Sequence, residues 1–219
     1  MRVVVYGSRP DGHARVVIEL LATNGNYKLM GLVDDLPENA GRRIGDLEVV
    51  GGSSDLERLA KDGVEGVLLG FGAARGRAAV LDAVENAGLA LPVLVHPTVH
   101  VAASAVLAPG AQLLPNASVG PGARVGRGAL VNTGAIADHD VQLADAVVVG
   151  PGAVIAGRAQ VGVEAEIGAG AVVLPDVRVG PTAIVGAGAV VNRDVPPGVT
   201  VAGVPARILE QRSDSAVGP

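Results

Sequence analysis

The sequence predicts two joined architectures: a small α/β domain, its parallel sheet covered by helices, followed by an all-β parallel β-helix. Three observations carry this expectation. Residues 1 to 95 alternate short apolar runs with amphipathic stretches, the rhythm of strand, helix and strand. From Val99 the apolar period becomes six and holds its phase to Asp194. The only aromatic residues of the 219, Tyr6, Tyr27 and Phe71, all precede the repeat, as expected if its interior has no room for rings.

In the first region, residues 3–6 (VVVY) read as a buried parallel strand and 7–12 (GSRPDG) as a loop. Residues 13–24 place Val16, Val17, Leu20 and Leu21 on one helical face. A second strand is expected at 27–33, ending at Asp34 and Asp35. A second helix, at 54–62, has Ser54 and Glu57 in capping-box spacing. A third strand is expected at 64–70, a third helix at 77–88 closed by Gly88, and a fourth strand at 91–95.

Residues 99–194 divide into sixteen hexads without insertion or deletion. The first position is always Ala or Val, and the third is Val, Ile or Leu except at Ala137. Such a period marks a parallel β-helix in which each hexad supplies one short strand and a turn, three to a coil. One coil cannot bury its own apolar row; a stack at roughly 4.8 Å per coil can. The expected division is 1–95, 96–205 and a tail at 206–219.

The net charge of −5 and a pI near 5.3 argue against nucleic-acid binding. The absence of cysteine excludes disulfides, thiolate metal sites and a cysteine nucleophile. Apolar stretches are interrupted well before the roughly 18 to 20 residues of a membrane span. The start MRVVVYG has too short an apolar run for a secretory signal, so a cytoplasmic location is expected.

The segment NTGAIADHD, residues 132–140, holds the only histidine after His100. His139 is fifth in its hexad, so its side chain should leave a turn and point outward. An isolated turn histidine is ordinarily a surface residue. Here Asp138 and Asp140 flank it, and Ala137, the one unbranched third position, lies two residues before it. Acids on either side can orient an imidazole and strengthen it as a base. Gly157 lies one coil further on and should sit beside His139 on the same edge. Asn132 and Thr133 read as turn residues.

The chain resembles the hexapeptide-repeat nucleotide-sugar acetyltransferases, which join a sugar-nucleotide-binding domain to a left-handed β-helix. The resemblance covers nearly the full length and rests on GHARVV (12–17), VDD (33–35), HP (96–97), NTGAIADHD (132–140), PGAVIAG (151–157) and AGVPAR (202–207). It implies acetyl-CoA-dependent N-acetylation of a nucleotide-linked amino sugar, by direct transfer and without a metal, in a homotrimer with active sites between chains. His139 would be the general base and Asp140 the acid that holds it; the amide of Gly157 would face the acyl group. Gly12, His13, Asp34, Asp35, Gly72 and Arg75 would contact the nucleotide sugar. Gly157, Ala169, Gly203 and Arg207 would contact acetyl-CoA. Two departures stand out. Val148 occupies the place of a second family histidine, and the loop at 7–12 is about two residues longer and poorer in glycine.

Sugar O-acetylation asks for the same base and remains the nearest rival. A non-catalytic β-helix used in assembly would leave His139 expendable. A zinc enzyme requires three imidazoles at the metal, whereas the repeat holds only His139 and, about two coils away, His100.

Overall fold

A computed structural model describes residues 1–9, 12–23 and 25–209. The first domain is a five-stranded sheet of β1 (Arg2–Tyr6), β2 (Lys28–Val33), β3 (Arg43–Ile44), β4 (Leu47–Gly51) and β5 (Gly66–Leu69), in the order β3-β4-β2-β1-β5. The central pairs are parallel and only β3 runs antiparallel, against β4. Helices α1 (His13–Thr23), α2 (Leu56–Lys61) and α3 (Arg77–Asn86) cover it. Val3, Val4 and Val5 are completely buried because helices lie on both faces of β1. Gly70, just after β5, lets the first turn of α1 approach: a side chain there would run into Val5, the Tyr6 carbonyl and Ala14.

The second helix departs from expectation at its start. It is preceded by a short turn, Ser53–Asp55, and the Asp55 carboxylate accepts the Gly52 N–H at 3.0 Å, so the Ser54–Glu57 pair is not the cap. The strand expected at 91–95 is only Leu94–Val95, and it pairs with Gln112–Leu113 of the repeat rather than with the first sheet.

From His100–Val101 to Val190–Val191, two-residue strands recur every sixth residue, each paired in parallel with its counterpart eighteen residues away. The result is a left-handed β-helix of triangular section, built from six-, five- and eight-stranded sheets. Its core stacks third-position residues such as Val119, Val149 and Ile167 with first-position alanines such as Ala123 and Ala153. Several turns require left-handed backbone at non-glycine residues, among them Asp140, Arg158 and Asp176.

The three outer faces differ, and the difference positions the function. The covered face presents Leu94, Gln112, Leu130 and Val148, all buried against the first domain. The apolar face presents Ile136, Val154, Val172 and Val190 with no cover in the single chain. The polar face presents Arg124, Gln142, Gln160 and Arg178. The edge between covered and polar faces is tied to α3. Arg127 pairs with Asp82 (2.8 Å) and Glu85, and Glu164 accepts the Ala78 N–H at 3.1 Å.

Candidate functional site

The structure gathers most of the candidate residues into two groups. The first lines a cleft of about 580 Å³ at the carboxyl ends of β1, β2 and β5, the position where open α/β sheets receive ligands. Gly12, His13, Asp34, Asp35, Gly72 and Arg75 all border it, together with Ser8, Arg9 and Phe71. The N-terminus of α1 opens onto this cleft at His13, adding a partial positive charge to that of the arginines. Of the long loop, Pro10 and Asp11 lie outside the described residues.

The two acids are more engaged than loop solvation requires. Asp34 accepts the Ser8 N–H (2.9 Å) and hydroxyl (2.6 Å) and the Leu36 N–H (3.0 Å). Burial pushes its pKa up, but these hydrogen bonds outweigh burial and hold the carboxyl below its ordinary range. Asp35 accepts the Ser53 N–H at 2.6 Å and the Tyr6 hydroxyl. Its pKa too is lowered against the effect of burial, while burial and then Asp35 raise that of Tyr6. Both carboxylates therefore stay ionised and still have lone pairs for donor groups of a ligand.

His13 is half-buried. Its Nε2 lies 3.4 Å from Oε1 of Gln112, which in turn accepts from Arg77 at 3.0 Å. Burial and then the charge of Arg77 lower the His13 pKa to about 4, so the ring is neutral near pH 7. Gln112 and Arg77 were not legible as site residues. The available signal was that Gln112 is the one polar residue in the series Leu94, Gln112, Leu130, Val148.

The second group lies on the edge between the apolar and polar faces. His139 leaves its turn as expected, with 44% of its side chain exposed. Its Nδ1 lies 3.1 Å from Oδ2 of Asp140, and its Nε2 lies over the Cα of Gly157, where a methyl group would overlap the ring. The Asp140 carboxylate can only accept, so Nδ1 carries the proton and Nε2 presents its lone pair. The Asp138 carboxylate accepts the N–H of His139 at 2.7 Å, and Asn132 does the same for Thr133 at 2.8 Å, so both shape turns.

Gly157 stands at the fifth hexad position, which contributes no N–H to the ladder. Proline therefore fills that position at 109, 115, 121, 151, 175 and 181. The glycine amide is left for another acceptor. Next to it, Arg158 is held by Asp176 through two contacts of 2.7 and 2.8 Å.

The other residues expected at acetyl-CoA are not beside Gly157. Ala169 and Gly203 lie on the edge between covered and apolar faces, and exposed Arg207 follows on the terminal strand Arg207–Ile208. Val148 is 4% exposed and packs in the interface with the first domain, a use that explains valine there. Of the expected tail, 210–219 lie outside the described residues. The cleft is carried on the covered-face side of the chain, whereas His139 occupies the opposite edge of the triangular section.

Comparison with known proteins gives this arrangement a family. The model of the PglD N-terminal domain matches residues 2–84. A sequence search of curated proteins returns no match. Among solved structures, a histidine-to-asparagine variant of perosamine N-acetyltransferase from Caulobacter crescentus, in complex with CoA and GDP-perosamine, is 34% identical. It covers 96% of this chain and 98% of its own, with a TM-score of 0.89. The acetyltransferase domain of PglB from Neisseria gonorrhoeae FA1090, in complex with acetyl coenzyme A, is also 34% identical. It covers 95% of this chain and 98% of its own, with a TM-score of 0.84. WeeI from Acinetobacter baumannii AYE, at 25% identity, covers 95% and 100% with a TM-score of 0.84. With identity above 30% over nearly its whole length, the chain belongs to the hexapeptide-repeat nucleotide-sugar N-acetyltransferases.

Proposed function

We propose that this protein transfers the acetyl group of acetyl-CoA to the amino group of a nucleotide-linked amino sugar in the cytoplasm, with His139 as general base. The observation that carries the reading is the His139 ring, with Nδ1 on Asp140 and Nε2 over Gly157. The neutral amine attacks the thioester carbonyl; its nitrogen–carbon bond forms as Nε2 takes the proton. The amide of Gly157 donates to the oxyanion, a fixed dipole with no reorganisation cost. As the carbon–sulfur bond breaks, the proton on His139 passes to the departing CoA sulfur, so no acyl-enzyme forms. Gly12, His13, Asp34, Asp35, Gly72 and Arg75 hold the nucleotide sugar. Gly157, Ala169, Gly203 and Arg207 hold acetyl-CoA.

The working enzyme is a homotrimer. In one chain the cleft and His139 are on opposite sides, and the acetyl-CoA candidates are split between the two edges that bound the uncovered apolar face. Packing copies side by side covers Ile136 and its column, and brings one copy's His139 edge toward the next copy's Ala169 edge.

Steady-state transfer from acetyl-CoA to a panel of UDP-, dTDP- and GDP-linked amino sugars tests the activity. Turnover of one donor, reduced by orders of magnitude in His139→Ala, is expected. Turnover confined to hydroxyl acceptors would replace N- with O-acetylation, and none on either class would overturn the reading. Mixing His139→Ala with a cleft variant such as His13→Ala should restore part of the activity, because mixed trimers contain intact sites made from two chains. Failure of two stable trimeric variants to complement would refute shared sites.

A further inference from the structure

Arg77 is fully buried, and among the described residues no carboxylate pairs with it. Its guanidinium donates from Nε to the Gly128 carbonyl (2.5 Å), from one terminal nitrogen to the Phe71 carbonyl (2.6 Å) and from the other to Gln112 Oε1 (3.0 Å). It also lies 5.4 Å from the centre of the Phe71 ring. Gln112 is equally buried, and its amide nitrogen donates to the Leu69 carbonyl at 2.9 Å. These partners allow only one orientation of the amide. The Leu69 carbonyl can only accept and the guanidinium can only donate, so exchanging oxygen and nitrogen would oppose like groups at both ends.

The consequence reaches the cleft. Oε1 of Gln112 is an acceptor by construction, so His13 Nε2, 3.4 Å away, must carry the proton. We propose that Gln112, held by Arg77, is a positioning residue that fixes His13 as its Nε2–H tautomer, so that Nδ1 meets the nucleotide sugar only as an acceptor. Nδ1 then binds a hydroxyl or amino donor of the sugar and rejects the diphosphate, whose oxygens at neutral pH are also acceptors. The buried positive charge of Arg77 and the burial of the ring both oppose a second proton, which would undo the arrangement. This inference rests on the nucleotide-sugar reading for its ligand, while the tautomer itself does not depend on any ligand.

The test is long-range proton–nitrogen correlation NMR on the full chain labelled with ¹⁵N-histidine. Only four histidines are present, and His13→Asn assigns the relevant signal. In the free protein at pH 7, protonated Nε2 and unprotonated Nδ1 are expected. Protonated Nδ1, or a doubly protonated ring, would overturn the proposal. Gln112→Leu should give a tautomer mixture and raise KM for the nucleotide sugar roughly tenfold more than it lowers kcat. Gln112→Glu keeps an acceptor at Nε2 but makes it a carboxylate, so Nε2–H should persist while the ring takes its second proton more readily than in the parent. An unchanged tautomer in folded Gln112→Leu would refute the role of the glutamine. Titration with an accepted nucleotide amino sugar should shift the Nδ1 resonance, whereas UDP, dTDP or GDP alone should not; a shift with the diphosphates would refute the donor assignment. If no nucleotide sugar binds but the tautomer is as expected, the acetyl-transfer reading fails and the positioning device stands.

Discussion

Two histidines in this molecule use opposite nitrogens. At the edge of the β-helix, His139 gives Nδ1 to an exposed carboxylate and leaves Nε2 open, as the proposed general base requires. In the cleft, His13 gives Nε2 to a neutral amide backed by a buried guanidinium and keeps Nδ1. A carboxylate stabilises the imidazolium that forms when a base takes a proton. An amide next to a cation does the reverse. In the proposed reading the same side chain serves as a base in one place and as a neutral hydrogen-bond acceptor in the other, and the partner decides which.

The sharpest break in this comparison is to remove each ring. His139→Ala should lower kcat by roughly 10²- to 10⁴-fold, the range for losing a general base, with much smaller changes in either KM. His13→Ala should act mainly on KM for the nucleotide sugar. Steady-state kinetics on both substrates separates the two, and equal losses in kcat would erase the distinction.

The next largest effect tests the seat of the base. Gly157→Ala places a methyl group into the His139 ring at Nε2 while leaving the amide in place. Displacing a reacting group by about 1 Å costs on the order of 10²-fold, so kcat should fall by about that amount with thermal stability little altered. A kcat within twofold of the parent would show that the ring works from another position.

Why the corner was legible and the cleft only partly so follows from geometry. A repeat of six with three hexads per coil converts sequence distance into spatial contact, so the eighteen residues between His139 and Gly157 already imply that the two lie side by side. The cleft has no such ruler. Arg77 meets Gln112 across 35 residues and two domains, and an arginine is not expected in a fully buried place. Arg75 was named through the resemblance and does line the cleft, but the buried arginine that reaches Gln112 stands two residues on. In the fold, the phase of the repeat was plain. The β3–β4 hairpin was missed because its strands are short and largely exposed, giving little apolar alternation. Leu94–Val95 was assigned to the wrong sheet because an apolar run does not say which neighbour it pairs with.

The difference between the histidines should also appear as acid sensitivity. His13 has a folded-state pKa of about 4 against 6.5 for the ordinary side chain, so the unfolded chain binds its proton first as the pH falls. The contribution is fully present above pH 6.5 and is lost between there and pH 4. By pH 5 the loss amounts to about 2 kcal/mol. Urea unfolding of the parent and of His13→Asn at pH 7 and pH 5 isolates it from the carboxylates, which are common to both. The parent should lose about 2 kcal/mol more than the variant. Parallel losses would mean that His13 takes its proton as readily in the folded protein as in the unfolded chain, contrary to its place beside Arg77.

The smallest expected effect is the most direct on the partner principle. Asp140→Asn keeps the size of the side chain but removes the charge that stabilises imidazolium, and its amide can present a donor to Nδ1. The tautomer is then no longer imposed. Loss of the carboxylate beside a catalytic imidazole costs up to about 10⁴-fold where the pair is buried, and the exposure of both groups to solvent here makes the effect far smaller. The expected result is therefore a fall in kcat of about tenfold with an unchanged KM for the nucleotide sugar. In the same NMR experiment, His139 should change from a single Nδ1–H form to a mixture while His13 stays as it was. If kcat falls while the His139 tautomer does not move, Asp140 acts through charge alone. The contrast between the two rings would then lie in electrostatics rather than in which nitrogen each is made to present.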